Sequence, residues 1–254
     1  MRRNGVRGAL ARLAASAAIL LGLLAPAAAG DAATFAPIGF SEDGRFFAFE
    51  EFGVQDGSGF AYANIYLLDV VADKWVDGAP WRVLLDDEIE TLAEARAQAL
   101  AAAQGALNAR EVTTPATITA LNGDGEILKD DGATLTFGSP GYGLSEPQKR
   151  VTLRLTTTFP PPADPNCTEY FIDPPVGFRL EAQREGEGTT LIHDDTSVPR
   201  SRGCVEAYRL YGVVGAKDWA WHGHTPVAII SVYPHGFEGP DRRFIAQPLT
   251  GLAW

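Results

Sequence analysis

The chain has 254 residues, with 21 Lys+Arg against 32 Asp+Glu, 46% hydrophobic residues and 10% aromatics. This composition supports a buried core and excludes a disordered acidic tail, and the formal net charge of −11 excludes nucleic acid and anionic membrane surfaces as expected partners, because clustered cations hold both. Twenty-seven glycines and 17 prolines call for many turns, as an all-β protein does.

In chain order, Arg2, Arg3, Arg7 and Arg12 come first, then an apolar run over 13–24, then Ala27-Ala28-Ala29. Basic flank, short apolar run and small residues together predict a secretory signal peptide over residues 1–29. The run falls short of the roughly 20 apolar residues that span a bilayer, so no transmembrane segment is expected in the mature chain. Removing residues 1–29 takes away four arginines and no acid, leaving 17 basic against 32 acidic residues, near −15. The expected location is periplasmic or secreted. In that oxidising compartment Cys167 and Cys204, the two cysteines, are expected to form a disulfide.

Residues 30–254 read as a single mainly-β domain. Segments 45–49 and 64–70 carry apolar residues at both parities, which predicts strands covered on both faces. Segments 151–156 and 178–182 alternate strictly, which predicts one wet face each. Further strands are expected at 117–121, 134–137, 189–193, 205–213, 227–233 and 243–246. Between them, 86–104 is rich in Ala, Leu, Glu and Arg, has acids in its first turn and meets Gly105, so a helical insertion is expected at about 86–105 with Leu92, Ala95, Ala99 and Leu100 as its apolar stripe. Residues 159–175 hold six prolines and are expected to form an extended loop.

The segment from Phe40 to Trp75 carries Phe40, Ser41, an Asp43-Gly44-Arg45 turn, Ala48-Phe49, Ile65-Tyr66 and a closing Leu68-Asp69. It resembles one blade of the Tol-type periplasmic β-propeller repeat, from which the loop 53–60 departs by its length. Asp43-Gly44-Arg45-Phe46-Phe47-Ala48 is echoed by Asp241-Arg242-Arg243-Phe244-Ile245-Ala246. The segment Phe40–Trp75 with its stretch Phe49–Gly59, and the end Ser231–Phe244, together with the export signal and Ala-rich helix, are similar to a family of predicted secreted bacterial proteins of unknown function. That resemblance implies secretion and no established activity. The fold these readings suggest is mainly β and antiparallel, a small or incomplete β-propeller-like arrangement with one helical insertion, with a β-sandwich as the alternative.

Candidate binding residues lie in two polar loops. Gln55, Asp56 and Ser58 sit in a Gly-rich loop suited to a small ligand or calcium, or to an ordinary hairpin. Arg242 and Arg243 are the conspicuous cations of an acidic protein, suited to an anion or carboxylate, or to pairing with Glu238 and Asp241. His222 and His224 share one face, and with His193 or His235 they form the alternative zinc set. Asn122-Gly123-Asp124-Gly125-Glu126 lacks the EF-hand spacing and reads as a turn. Glu50 and Glu51 are neighbours on a strand and face opposite ways, so they are a poor carboxylate pair. No cofactor is called for. The leading reading is an exported non-enzymatic binding or interaction module for a protein or small-molecule ligand. The alternative is an extracytoplasmic, metal-dependent hydrolase, in which the histidines meet Asp194, Asp195 or Glu206.

Overall fold

The computed structural model describes residues 30–87, 89–128, 130–139, 145–169 and 173–252; the signal-peptide reading of residues 1–29 lies outside them. Among the described residues the chain is mainly β, in three antiparallel sheets, none of which closes on itself.

The first sheet contains β1 (Thr34–Ser41), β2 (Phe46–Val54), β3 (Ala61–Asp69), β4 (Lys74–Trp75), β5 (Trp81–Leu84) and β6 (Val112–Thr114), in the order β4-β3-β2-β1-β6 with β5 also on β3. Its first turn is held by side chains: Ser41 Oγ donates to Asp43, the Arg45 and Phe46 amides donate to Asp43 and Ser41 Oγ, and Gly44 N–H donates to the Ser41 carbonyl. Gly44 alone takes positive φ there, at +70°, so the Asp-Gly pair closes a longer turn instead of forming a two-residue hairpin. The two-parity pattern of β2 and β3 has its expected consequence. Phe47, Phe49, Tyr62 and Leu68 enter the main core, while Ala48, Ala61, Ala63, Ile65 and Leu67 form a second core on the opposite face.

That second face is covered by helix α1 (Leu92–Ala109). The helix starts after Thr91, later than the expected 86, because Thr91 and Glu94 form a reciprocal capping box, which satisfies the first free amides. It runs through Gly105 to Ala109, past the expected end. A mid-helix glycine costs about 1 kcal/mol, and continuation offsets this by burying Leu107. The buried stripe is Ala95, Ala99, Ala103 and Leu107, whereas Leu100 is 41% exposed. Glu50, facing this side, clasps Arg96 through Nε at 3.0 Å and Nη2 at 2.8 Å, with the guanidinium 4.0 Å over the Phe52 ring.

The second sheet is β8 (Thr134–Ser139), β9 (Gln148–Thr158), β10 (Gly177–Arg184) and β11 (Thr189–Asp194), ordered β11-β10-β9-β8. Val151, Leu153 and Leu155 alternate with less buried residues, as do Phe178, Leu180 and Ala182, giving the one wet face that strict alternation predicts. The third sheet is β7 (Ala116–Leu121), β12 (Val205–Ala216), β13 (Val227–Pro234) and β14 (Arg243–Pro248), ordered β14-β13-β12-β7. One continuous core joins the three sheets. A disulfide between Cys167 and Cys204 ties the proline-rich segment to the start of β12. Near the amino end, Ala32 bridges in parallel to Arg242, the residue before β14.

Candidate functional site

Arg242 and Arg243 gather three chain-distant segments at one end of the molecule. Arg243 Nη2 pairs with Asp31 at 2.6 Å and with Asp241 at 3.3 Å, and Nη1 donates to the Asp31 carbonyl and the Tyr62 hydroxyl. Arg242 pairs with Asp124 and donates twice to the Ala33 carbonyl. Asp241 also accepts the Asp31 N–H at 3.0 Å, and Tyr62 donates to Asp31 at 2.9 Å. The guanidiniums that the sequence suggested as anion contacts are thus engaged by Asp31, Asp124 and Asp241, and Glu238 is not among their partners. Burial disfavours the charged form of Arg243, but Tyr62, Asp31, Glu51 and Asp241 outweigh it and hold its pKa above the ordinary value.

Glu51 lies beneath this cluster with no exposure to solvent. Its carboxylate accepts from the Phe244 amide at 2.7 Å and from Asn64 at 3.0 Å, so β2 and β3 of the first sheet grip β14 of the third. Burial pushes the Glu51 pKa up, against the Phe244 and Asn64 donors and the Arg243 charge. Glu50 and Glu51 do face opposite sides, each serving its own partner. Adjacent acids inside an otherwise apolar strand were the available signal for buried ion pairs, since unpaired carboxylates are almost never fully buried. Asp31 and Asp124 carried no such local signal.

The loop 53–60 reaches the same end. Gly53 leaves room for the Tyr62 hydroxyl, which a Cβ there would approach to 2.8 Å. β2 and β3 extend further than the sequence indicated, so the connection narrows to 55–60. Gln55 N–H donates to the Phe60 carbonyl, Ser58 Oγ donates to the Gln55 side chain, and Asp56 is exposed. Loops 122–128 and 234–241 thus meet the arginine pair through Asp124 and Asp241, and loop 55–60 leads into β3, whose Tyr62 hydroxyl accepts from Arg243. Ile127 and Phe237, on loops 122–128 and 234–241, are 99% and 100% exposed, and Val54, the last residue of β2, is 49% exposed.

The histidines occupy three places. His193 Nε2 meets Asp195 at 2.8 Å, and its ring stacks on Phe178. His235 Nδ1 meets Glu206 at 2.6 Å. His222 and His224 stack at 5.4 Å, with His224 against Gly44 and its Nδ1 buried without a hydrogen-bond partner. Burial lowers the His224 pKa, and the neighbouring His222 adds to this. Among the described residues no three His, Cys, Asp or Glu side chains group as a metal would require. Asp195 and Glu206, offered as partners of a convergent set, instead pair with one histidine each.

Asp195 is itself a buried junction, accepting from the Phe178 amide at 2.9 Å and from Arg202 at 2.7 Å. Burial works against its ionised form, but His193, the Phe178 amide and Arg202 together hold its pKa below the ordinary 3.8. A depressed carboxylate stabilises the fold above its unfolded-state value and loses that contribution as pH falls through the folded one. Wild type is therefore expected to be more stable than Asp195→Asn near neutral pH, with the gap closing below pH 3.8 as Asp195 protonates. Urea unfolding at a series of pH values measures this, and a gap independent of pH would contradict it.

Two clefts lie elsewhere. One of about 390 Å³ is lined by Ser41, Glu42, Asp43, Phe46, Arg110 and Glu111, and one of about 320 Å³ lies between β7 and β8 beside Ile118, Thr119, Thr136 and Phe137. No helix among the described residues is long and apolar enough to cross a membrane. A family model described as Predicted secreted protein (DUF2259) matches residues 48–250, which takes in both the Glu50-Glu51 stretch and the Arg242-Arg243 stretch. No curated protein matches the chain, and no solved structure does.

Proposed function

We propose that this chain, which belongs to the family of predicted secreted proteins and is exported, is a non-enzymatic binding module whose recognition surface is the three-loop end around Arg242 and Arg243. The observation that carries this reading is the exposure of Ile127 and Phe237, at 99% and 100%, on loops anchored by Asp124 and Asp241 to that rigid arginine pair. Large apolar side chains held outward on fixed loops are what partner pockets take up. Loops on a β scaffold also commonly carry binding. With both guanidiniums internally engaged, the exposed charges of these loops include Asp56, Glu126 and Glu238, which favours a partner protein with basic residues around an apolar pocket.

In this reading the scaffold is a propeller-like arrangement with a Tol-type first unit. Support comes from the antiparallel run β1-β2-β3-β4 and from Arg45, which spans from the Asp43 turn to Asp69 at 2.8 Å. The sandwich alternative rests on the same open sheets. The hydrolase alternative gains nothing from the three separate histidine placements. A photo-crosslinking residue at position 237 or 127, introduced in the exporting host, is expected to give a discrete protein adduct. The same residue at position 191, where Leu191 is 56% exposed on β11, is expected to give none. Equal adducts at 191, or none at 127 and 237, would overturn the reading.

A further inference from the structure

We infer that hydrolysis of the Ala29–Gly30 peptide bond creates a working part of the molecule, an α-ammonium at Gly30 that docks against the 234–241 loop and completes the arginine cluster. Water supplies a hydroxyl to the Ala29 carbonyl carbon and a hydrogen to the Gly30 nitrogen. A further proton from solvent makes the ammonium.

The described residues are built around such a terminus. Gly30 packs so closely on the loop that a Cβ would lie 2.2 Å from the Pro240 carbonyl oxygen and 3.4 Å from that of Gly239. Position 30 therefore accepts glycine alone, and Ala27-Ala28-Ala29 immediately precede it. The chain is then fixed at every step. Asp31 N–H is held by Asp241, Arg242 N–H donates to the Asp31 carbonyl at 2.8 Å, and Ala33 N–H donates to the Arg242 carbonyl at 3.2 Å. First residues of domains are usually loose unless something ties them down.

Charge gives the reason for an ammonium in particular. The cluster holds four carboxylates, Asp31, Glu51, Asp124 and Asp241, against two guanidiniums, Arg242 and Arg243. A third cation beside Asp31 and Asp241 reduces that excess. An ammonium also offers three donors where an amide offers one, on a residue packed against the Gly239 and Pro240 carbonyls. This inference concerns the same end of the molecule but does not require the binding reading, since processing can complete the cluster whatever the cluster recognises.

The test has two parts. Intact mass and amino-terminal sequencing of the protein secreted by its own host are expected to show Gly30 as the first residue; a different start overturns the proposal. Next, protein beginning at Gly30 is compared with the same protein acetylated on the Gly30 nitrogen. The free-amine form is expected to melt about 3 °C or more above the acetylated one near neutral pH. A docked ammonium has a raised pKa, so its contribution is complete below the unfolded-state value near 8 and is lost as pH rises through the folded one; the gap is expected to vanish by about pH 10. Asp31, Asp241, Arg242, Arg243 and Tyr62 face the site in both proteins, and burial holds the Tyr62 phenol far above its ordinary value. His235, on the same loop and bonded to Glu206, is common to both and cancels in the difference. Equal melting temperatures, or a gap that does not change with pH, would show that Gly30 only fills space and would overturn the proposal.

Discussion

Replacing Arg243 with methionine is expected to destabilise the protein by about 3 kcal/mol, because it leaves buried carboxylates without their cation. Asp31 and Glu51 are 6% and 0% exposed, and Arg243 bonds the first directly and lowers the cost of ionising the second. Methionine retains much of the stem's packing, so the loss reports on charge more than on volume. The figure lies at the lower end for a broken buried pair because the guanidinium keeps some contact with water. The pH dependence identifies the cause. Burial raises the Glu51 pKa and the Arg243 charge lowers it, so without that charge it rises further, and the deficit of Arg243→Met is expected to shrink as pH falls from neutral, whereas a packing defect would not change. Urea unfolding across that range measures it, and Arg243→Lys, which keeps the charge and loses the fork, is expected to fall between the two. A loss below about 1 kcal/mol, typical of exposed ion pairs, would mean that the cluster is a surface feature.

Removing the disulfide is expected to cost about 3–4 kcal/mol, from the entropy of a loop closed across a sequence separation of 37. The loop contains β10, β11 and Arg202, so the bond and the Asp195 junction restrain the same segment. Unfolding of the Cys167→Ala, Cys204→Ala double variant measures the cost without adding thiols. Because the two restraints share that segment, combining the double variant with Asp195→Asn is expected to give a non-additive loss. Additive losses would show that bond and junction act independently.

Much of the strand pattern was legible, because burial of a sheet face imposes alternation on neighbouring residues. Val151, Leu153 and Leu155 announce their face locally, and the two-parity composition of β2 and β3 announces that something covers both sides. The end of α1 was less legible. Gly105 is a stop signal only where nothing downstream gains by continuing, and Leu107 gains by burial. The arginine cluster was legible in half. Arg242 and Arg243 stood out as a minority charge, and the loop with Gln55 and Asp56 as a flexible one. Their meeting depends on Asp31 and Asp124, which lie 212 and 118 residues from the arginines they bind. No local periodicity encodes such a contact, and each acid taken alone looks like any other on an acidic protein.

The bond from Asp31 to Arg243 also sets an order of events. During synthesis the chain exposes β1, β2 and β3 long before β14 follows. Local hairpins form within microseconds, but Glu51 must wait for the Phe244 amide, 193 residues downstream. Until then the first sheet carries a carboxylate awaiting its donor and an aromatic face awaiting its cover. The strand that crosses almost last is thus the one that closes the molecule. A chain stalled before it leaves that carboxylate without its donor and that aromatic face without its cover.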